Sequence, residues 1–319
     1  MSKKTNILIT GGAGFIGSHV VESLIKLNYH VVIIDNFDDF YSPAIKFRNL
    51  ENIVDHPHIQ LIEKDIREIH NIELLKNENI HCIVHLASKP GVRNSITDPA
   101  TFKTINIDST HAVIEFAKNQ NIKKIVFASS SSVYGNHPEQ PWAENIDKLK
   151  PLSPYAQYKL ECEDAGKIFA AENNNQFLSL RYFSVYGPRM RPDLAMYRFA
   201  EKIIAGQTIE VYGDGTSYRD YTYIDDIISG ITASINYNKH GFDIFNLAYG
   251  EKISLINMIS ALEQALDKKA KCKFSPEIKE ESSGTWADIR KAKNTLNYHP
   301  KTDFSVGIKA FCQWYQQNH

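Results

Sequence analysis

The fold of this chain is decided by the segment Ile7-Leu8-Ile9-Thr10-Gly11-Gly12-Ala13-Gly14-Phe15-Ile16-Gly17. An apolar run typical of a strand leads into glycines at 11, 14 and 17, and residues 18–27 then follow a helical pattern. In such a turn the first glycine permits the tight bend, the second lets the backbone approach a pyrophosphate, and the third lets helix and strand pack closely. The positive end of the helix faces the phosphate charge. The segment therefore predicts a dinucleotide-binding turn.

Working outward, short runs rich in isoleucine and valine alternate with helix-length segments as far as residue 181. Strands this apolar are covered on both faces, which predicts an α/β fold with a Rossmann-type doubly wound parallel sheet. Beyond residue 181, loops rich in Tyr, Gly, Pro and Asp predict a smaller C-terminal substrate-binding lobe. We therefore expect a dinucleotide-binding domain over residues 1–181 and a substrate lobe over 182–319, with some segments of the lobe returning to the sheet. The predicted strands are 6–10, 30–34, 59–63, 82–85, 124–128 and 177–181.

The identity of the dinucleotide is indicated by an acidic residue at the end of the second run. Asp35 stands 18 residues after Gly17. A carboxylate at this place accepts both ribose hydroxyls and repels the 2′-phosphate of NADP. The predicted cofactor is NAD.

Composition excludes several other classes of function. The 319 residues carry a net charge of −1, which gives no electrostatic basis for binding nucleic acid or a membrane surface. No apolar run approaches the roughly 18–20 residues that span a bilayer, and residues 1–6 lack the apolar core of a signal peptide. The cysteines lack CxxC spacing, so we expect buried free thiols, no metal site and a cytoplasmic enzyme. They are Cys82, Cys162, Cys272 and Cys312.

A candidate catalytic pair follows the fifth predicted strand. Tyr155 and Lys159 lie four residues apart, on one face of a helix predicted to begin near Ser153-Pro154. The serines at 129–132 end the fifth strand, at the edge of the sheet where ligands of such folds bind. A tyrosine with a pKa near 10 needs roughly 4 kcal/mol of anion stabilisation to act as a base near pH 7. A lysine ammonium and a positive nicotinamide ring can supply it in a partly dry cleft.

Taken together, these motifs resemble the extended short-chain dehydrogenase/reductase family, and within it the nucleotide-sugar epimerases and dehydratases. Further motifs carry the resemblance over nearly the whole chain, namely His85-Leu86-Ala87, Arg181-Tyr182-Phe183, Val185-Tyr186-Gly187-Pro188 and Arg219-Asp220-Tyr221. The resemblance implies that Asp65 and Ile66 contact adenine, and that 86–88 and Asn106 line the cofactor channel. The expected cofactor-binding residues are Gly11, Gly14, Phe15, Ile16, Gly17, Asp35, Asn36, Asp65, Ile66, Leu86, Ala87, Ser88, Asn106, Tyr155, Lys159 and Tyr182.

The same resemblance assigns catalytic and substrate roles. Ser130 would hydrogen-bond the reacting hydroxyl, with Ser132 as a second candidate for a substrate contact. Tyr155 would be the base, and Lys159 would hold the nicotinamide ribose. Arg219 would clamp the sugar-nucleotide diphosphate, a task that suits bidentate geometry. The alternative for Arg219 is a surface ion pair with the neighbouring aspartate.

The type of reaction follows from a missing carboxylate. The dehydratases and decarboxylases of this family carry an acidic residue just after the catalytic serine or threonine, where this chain has Ser131, Ser132 and Val133. What remains is oxidation and re-reduction at one carbon, which is 4-epimerisation with NAD regenerated in each turnover. A 4-epimerase for UDP-glucose or its N-acetyl relative is the alternative within this class. A non-catalytic NAD-sensing regulator is the alternative outside it.

The sugar is indicated by two loops that resemble those of UDP-glucuronate 4-epimerases. They are residues 35–41 with 91–93, including Arg93, and residues 182–193. Ser184 and Arg191 keep the seven-residue spacing of the hydroxyl and arginine that hold the C6 carboxylate there, although serine replaces threonine. The alternative for Arg191 is a solvated loop arginine. The expected substrate-binding residues are Arg93, Ser130, Ser132, Ser184, Arg191 and Arg219.

Two further expectations concern the tail and the assembly. A Pro-Gly-Asp segment usual in these epimerases is missing, and Glu280-Glu281-Ser282-Ser283-Gly284 stands in its place. This departure leaves the second diphosphate contact open. The helices near 101–118 and 155–171 are expected to pair across a two-fold axis, which would give a homodimer through a four-helix bundle.

Overall fold

A seven-stranded parallel sheet forms the centre of this computed structural model, which describes residues 5–276 and 282–319. The strand order reverses between the first and fourth strands, which is the arrangement of a doubly wound sheet. The predicted fold class is therefore confirmed. Across the sheet the strands are β11 (Gly241–Leu247), β6 (Gln176–Tyr182), β5 (Lys124–Ser130), β4 (Ile80–His85), β1 (Asn6–Thr10), β2 (His30–Asp35) and β3 (Ile59–Glu63).

All six predicted strands are present, with bounds that differ from the prediction by two residues at most. The seventh, β11, comes from beyond residue 181 and pairs in parallel with β6. It is one of the expected segments that return to the sheet. One hydrophobic core contains both Ile7 from the first strand and Tyr315 near the end of the chain. The two halves of the chain thus share a core, and the division at residue 181 stays a prediction about which part binds which ligand.

Both faces of the sheet are buried, as the apolar strands require. Along β1, Ile7 and Ile9 belong to one core while Leu8 belongs to the other, because successive side chains point to opposite faces of a sheet. The strand is therefore fixed from above and below. The helices are α1 (Phe15–Lys26), α2 (Pro43–Leu50), α3 (Val92–Thr97), α4 (Pro99–Lys103), α5 (Ser109–Asn119), α6 (Pro154–Ala170), α7 (Ala195–Ile204), α8 (Ile224–Asn236), α9 (Leu255–Leu266), α10 (Arg290–Leu296) and α11 (Phe304–Asn318).

Three small two-stranded sheets extend the fold beyond β6. Residues from several of these strands face the same cleft as the carboxyl ends of the central strands. This brings the second half of the chain to the edge of the sheet where ligands of such folds bind. The pairs are β7 (Ser184–Tyr186) with β10 (Tyr221–Tyr223), β9 (Tyr218–Arg219) with β12 (Ile253–Ser254), and β8 (Thr208–Tyr212) with β13 (Lys271–Ser275).

The cysteines and the helices bear on two of the compositional expectations. Three of the four free thiols are buried as expected, whereas Cys272 on β13 is exposed. Within the described ranges, no helix combines the length and apolarity needed to cross a membrane. Nor do three or more His, Cys, Asp or Glu side chains come together there in a way that could hold a metal ion.

Candidate active site

A cleft of about 1140 Å³ opens where β1, β2, β4, β5 and β6 end. This volume exceeds the 300–1,000 Å³ of a typical pocket for one small molecule, so the cleft has room for a cofactor and a second ligand together. Apart from Asn106, every residue that the sequence analysis assigned to the site lines this cleft. Residues far apart in sequence are thus brought to one place by the topology of the sheet.

The glycine turn has the geometry that a pyrophosphate site requires. Gly11 adopts φ +73°, a left-handed conformation that favours glycine, and a Cβ there would lie 2.8 Å from the Ala87 nitrogen. A Cβ on Gly17 would lie only 2.1 Å from the Gly11 carbonyl oxygen. Gly14 is the N-cap of α1, so the helix begins at the middle of the turn and directs its first N–H groups into the cleft. The turn therefore fits a dinucleotide diphosphate.

The carboxylate of Asp35 is held in place at the end of β2. It accepts hydrogen bonds from the Ala13 nitrogen at 3.0 Å and from the Phe37 nitrogen at 2.9 Å. Lys46, which sequence reasoning missed, lies 4.0 Å from Asp35 and is almost as buried. Burial raises the pKa of Asp35, and the Lys46 charge opposes this effect. Since Asp35 is fixed by backbone groups, its remaining lone pairs are oriented for ribose hydroxyls.

Asn106, predicted to line the cofactor channel, is not among the residues that line the cleft. The amide is buried, accepts from the Lys89 nitrogen at 3.1 Å, and donates to the carbonyls of Lys89 and Phe102. Both ends of the amide are thereby used within the protein. Asn106 therefore supports the loop after β4, and the cleft is lined by the loop residues Leu86, Ala87 and Ser88 instead.

The helix that carries the candidate catalytic pair begins where the sequence predicted. The Ser153 hydroxyl caps α6 by accepting from the Ala156 nitrogen, and Pro154 occupies the first helical turn. Tyr155 and Lys159 then follow on one face, with the Lys159 Nζ 5.8 Å from the centroid of the Tyr155 ring. The same Nζ donates a hydrogen bond of 2.7 Å to the carbonyl of Ala128 on β5.

Ser130 lies at the end of β5, beside the tyrosine. Its Oγ accepts from the backbone nitrogen of Ser132 at 3.2 Å and from the Ser132 hydroxyl at 2.9 Å. These two bonds use the acceptor side of Ser130, and the Ser130 side chain also acts to lower the pKa of Tyr155. Because the two bonds with Ser132 leave the Ser130 hydroxyl proton uncommitted, Ser130 can donate to the tyrosine oxygen or to a bound hydroxyl.

Burial shifts the pKa values of Tyr155 and Lys159 so that the neutral form of each side chain is favoured. It raises the pKa of Tyr155, while the hydrogen bond with Ser130 and the charge of Arg191 act in the opposite direction. It lowers the pKa of Lys159 to about 8, against the opposing influence of Cys162 and Glu163. Titratable groups shifted in this way within a cleft are typical of a site for proton transfer.

Arg191 lines the cleft, a position that favours a contact with a ligand over the alternative of a solvated loop arginine. Its side chain is 21% exposed and makes a bidentate pair with Asp193, with Nε and Nη2 each 2.9 Å from a carboxylate oxygen. Ser184, at the start of β7, lines the same cleft. The loop that carries Arg191 is attached to α1 by an ion pair between Arg189 and Glu22. Asp193 accepts from Nε and from one hydrogen of Nη2. Arg191 therefore faces the cleft with Nη1 and the second hydrogen of Nη2, which Asp193 does not use.

Arg219 is also directed into the cleft, from β9. Its Nη1 donates to the Tyr218 carbonyl at 2.8 Å. The alternative, an ion pair with Asp220, is not found within the described residues: Asp220 is fully buried and accepts from the backbone nitrogens of Tyr249, Gly250 and Ala287. Arg93 lies against the Tyr212 ring, with its guanidinium carbon 5.2 Å from the ring centroid. Two cationic side chains, Arg219 and Arg93, therefore line the part of the cleft expected to hold the substrate.

Part of the unusual acidic segment lies outside the described residues, namely Glu280 and Glu281. From Ser282 onward the segment is described, and Ser282 and Thr285 line the cleft. Gly284 packs against the Tyr218 ring so closely that a Cβ would lie 2.2 Å from its Cζ. This contact holds the segment after Ser282 against β9, the strand that carries Arg219 and that lies next to the expected diphosphate position.

Known proteins resemble this chain over almost its full length. The UDP-glucuronate 4-epimerase of Thermodesulfobacterium geofontis is 36% identical over 98% of this chain and 96% of its own. The crystal structure of the UDP-glucuronic acid 4-epimerase of Bacillus cereus, in complex with UDP-glucuronic acid and NAD, has a TM-score of 0.93 at 36% identity, covering 99% of this chain and 100% of its own. The UDP-N-acetylglucosamine 4-epimerase of Methanobrevibacter ruminantium M1, in complex with UDP-N-acetylmuramic acid, has a TM-score of 0.90 at 30% identity, with 99% and 100% covered.

A family model described as the NAD-dependent epimerase/dehydratase family matches residues 7–248, from the first strand to the end of β11. The matched region contains the glycine turn, Asp35, Ser130, Tyr155 and Lys159. The resemblance inferred from the motifs and the predicted cofactor are thereby confirmed. This chain belongs to the NAD-dependent epimerase/dehydratase family.

Proposed function

We propose that this protein is a UDP-sugar 4-epimerase that converts UDP-glucuronate to UDP-galacturonate. The observation that carries the proposal is that Ser184 and Arg191 share one cleft with Ser130, Tyr155 and Lys159. A cation is thereby available to a sugar carboxylate beside the groups that move a proton. The similarity to two UDP-glucuronate 4-epimerases over nearly the whole chain supports the same substrate.

The residues of the cleft divide the chemistry among them. Tyr155 Oη takes the proton of the sugar 4-hydroxyl and later returns it, while Ser130 hydrogen-bonds that hydroxyl and keeps it aligned. Lys159 holds the nicotinamide ribose, and its ammonium charge favours the anion of Tyr155. When bound, NAD would supply a reversible hydride acceptor and a positive ring charge that also favours the tyrosine anion. Ser131 and Ser132 offer no carboxylate to eliminate water, so the 4-keto sugar is only reduced again.

Sugar recognition is assigned to Arg191 and Ser184. The guanidinium presents two nitrogens while Asp193 holds the other edge, so its orientation is fixed before the substrate arrives. A charge-assisted contact of this kind stabilises the complex by about 1.5–3 kcal/mol. Arg219, Arg93 and the residues beside them are assigned to the UDP moiety, where two cations match the diphosphate charge.

A second candidate is a 4-epimerase for UDP-glucose or UDP-N-acetylglucosamine. It is favoured by Asp193, which already balances the Arg191 charge, so a neutral sugar would not leave an isolated cation in the cleft. The similarity to the Methanobrevibacter enzyme points the same way. A non-catalytic NAD-sensing regulator requires the glycine turn alone, and the arrangement of Ser130, Tyr155 and Lys159 in one cleft speaks against it.

Assembly and location are part of the same proposal. We assign the protein to the cytoplasm because it carries three buried free thiols and no disulfide between the cysteines. We expect a homodimer in which α5 and α6 pair with their copies across a two-fold axis, and Ile168 on α6 is 65% exposed as such an interface would allow. The epimerised nucleotide sugar would be consumed by a glycosyl-transfer reaction that builds polysaccharide.

The test is a panel of UDP-, GDP- and dTDP-sugars with the stereochemistry of the products read by NMR. We expect inversion at C4 of UDP-glucuronate, with NAD carried by the purified protein and no net formation of NADH. Stoichiometric release of NADH with an oxidised sugar would instead identify a dehydrogenase. Faster turnover of UDP-glucose than of UDP-glucuronate would replace the acid sugar with the second candidate.

A further inference from the structure

A fully buried carboxylate lies beneath the catalytic residues and has no assigned role. Glu163 on α6 accepts four hydrogen bonds, from the Ser129 hydroxyl at 2.6 Å, the Ser179 hydroxyl at 2.8 Å, and Arg181 Nε and Nη2 at 3.0 and 2.7 Å. The side chains of Glu163 and Arg181 are 1% and 3% exposed. Three of these bonds end on Oε1 and one on Oε2, so both oxygens of the buried carboxylate have partners within the protein.

The position of Glu163 on the helix relates it to the reacting pair. Tyr155, Lys159 and Glu163 are spaced by four residues, so they follow one another along one face of α6. Lys159 holds the carbonyl of Ala128, and Glu163 holds the hydroxyl of Ser129. These are the two residues that directly precede Ser130. The helix that carries the base is thus attached to the strand that carries Ser130 at the last two positions before it.

The far side of this cluster is less constrained. Arg181 lies with its guanidinium carbon 4.8 Å from the centroid of the Tyr134 ring, and its Nη1 is buried with no hydrogen-bond partner within the described residues. Removing a buried ion pair in favour of apolar side chains is often neutral or stabilising, so stability alone does not account for this pair. What the pair adds is a fixed, directional contact between α6 and the end of β5.

We propose that Glu163 and Ser129 are positioning residues that set the distance between the Ser130 hydroxyl and the Tyr155 phenol. The inference rests on the proposed function, since it concerns the two groups to which that function assigns the proton transfer. Ser129 shares a peptide bond with Ser130, so a shift at Ser129 is transmitted directly to the catalytic hydroxyl. Misplacement of a reacting group by about 1 Å can lower a rate roughly 100-fold.

Ser129 and Ser179 provide a matched pair of variants. Both hydroxyls are buried, both donate to the same oxygen of Glu163, and each is removed by a change to alanine. Ser179 lies on β6, opposite Phe127 and away from Ser130. We expect Ser129→Ala to lower kcat about tenfold with little change in KM or in bound NAD, and Ser179→Ala to stay within about twofold. Thermal denaturation should show similar stability losses for the two variants.

The pH profile gives a second readout, because a displaced Ser130 no longer hydrogen-bonds the tyrosine. The acidic limb of kcat should move to higher pH in Ser129→Ala and not in Ser179→Ala. Equal losses of kcat and unshifted profiles in both variants would overturn the proposal and leave a structural role. Ser130→Ala and Tyr155→Phe are measured alongside: if these two retain full activity, the catalytic assignment itself fails, and the positioning proposal fails with it.

Discussion

Replacing Arg191 by alanine tests the acid-sugar reading most directly. The Arg191 side chain is 21% exposed, and Asp193 holds its guanidinium through Nε and Nη2. Arg191→Ala removes the only partner that we assign to the sugar carboxylate apart from the Ser184 hydroxyl. The loss should therefore depend on whether the substrate carries a charge at C6.

The magnitude follows from the contact that is lost. A hydrogen bond to a charged group contributes about 1.5–3 kcal/mol, which corresponds to a factor of roughly 10–150 in kcat/KM. We expect the lower part of this range for UDP-glucuronate, about 10- to 30-fold, because Asp193 already offsets part of the arginine charge. For UDP-glucose, whose hydroxymethyl group is neutral, the change should stay below about threefold.

The assay measures kcat/KM for both substrates with wild type, Arg191→Ala and Arg191→Lys. The lysine variant keeps the charge but lacks the planar fork that Asp193 holds, so it should recover only part of the loss. An equal decrease for both sugars would contradict the reasoning, since it would place Arg191 at the nucleotide or in folding. No decrease for either sugar would show that the arginine does not touch the substrate.

Three other changes have defined outcomes. Tyr155→Phe should lower kcat by about 10²–10⁴ while bound NAD is retained, and activity within threefold of wild type would mean that another group is the base. Because burial lowers the pKa of Lys159 to about 8 from 10.5, kcat should fall as the pH rises through about 8. Between pH 8 and 10.5 the lysine is protonated in the unfolded chain and neutral in the folded protein, so its contribution to the free energy of unfolding increases with pH. A loss of stability over the same pH range would refute the assignment. Glu163→Gln leaves Arg181 without its counter-charge and should cost about 3–5 kcal/mol in urea denaturation, and a change below 1 kcal/mol would show that the pair is not coupled to folding.

The cofactor half of the site could be predicted from the sequence because its residues lie within single local motifs. The glycine turn and the start of α6 depend on contacts between neighbours in the chain, namely backbone conformation at Gly11 and capping by Ser153. Asp35 is recognisable because it ends an apolar run. Local patterns of this kind appear in the sequence whatever the rest of the fold does.

The remaining features depend on side chains that meet only after folding. Nothing in the sequence near Asn106 indicates that its amide is hydrogen-bonded to the loop after β4. The Asp193 contact that orients Arg191 is local, yet aspartate two residues from arginine is too common to predict a pair. The sequence analysis did not single out Glu163, because its partners Ser129 and Arg181 lie on two different strands and meet it only in the folded protein. Strand β11 is not among the predicted strands. Its first four residues are only partly buried, and its sequence has a weaker apolar pattern than those of the other strands.

The place of β11 beside β6 affects how a growing chain can reach this structure. When residue 182 has left the ribosome, β6 can pair with β5 but has no neighbour on its other side. An open strand edge of this kind is a template for pairing with other chains. The edge is closed only when Gly241–Leu247 has been synthesised, so β6 stays unpaired on this side while residues 183–240 emerge. A fragment that stops before β11 would contain every motif for the dinucleotide and still be prone to aggregate.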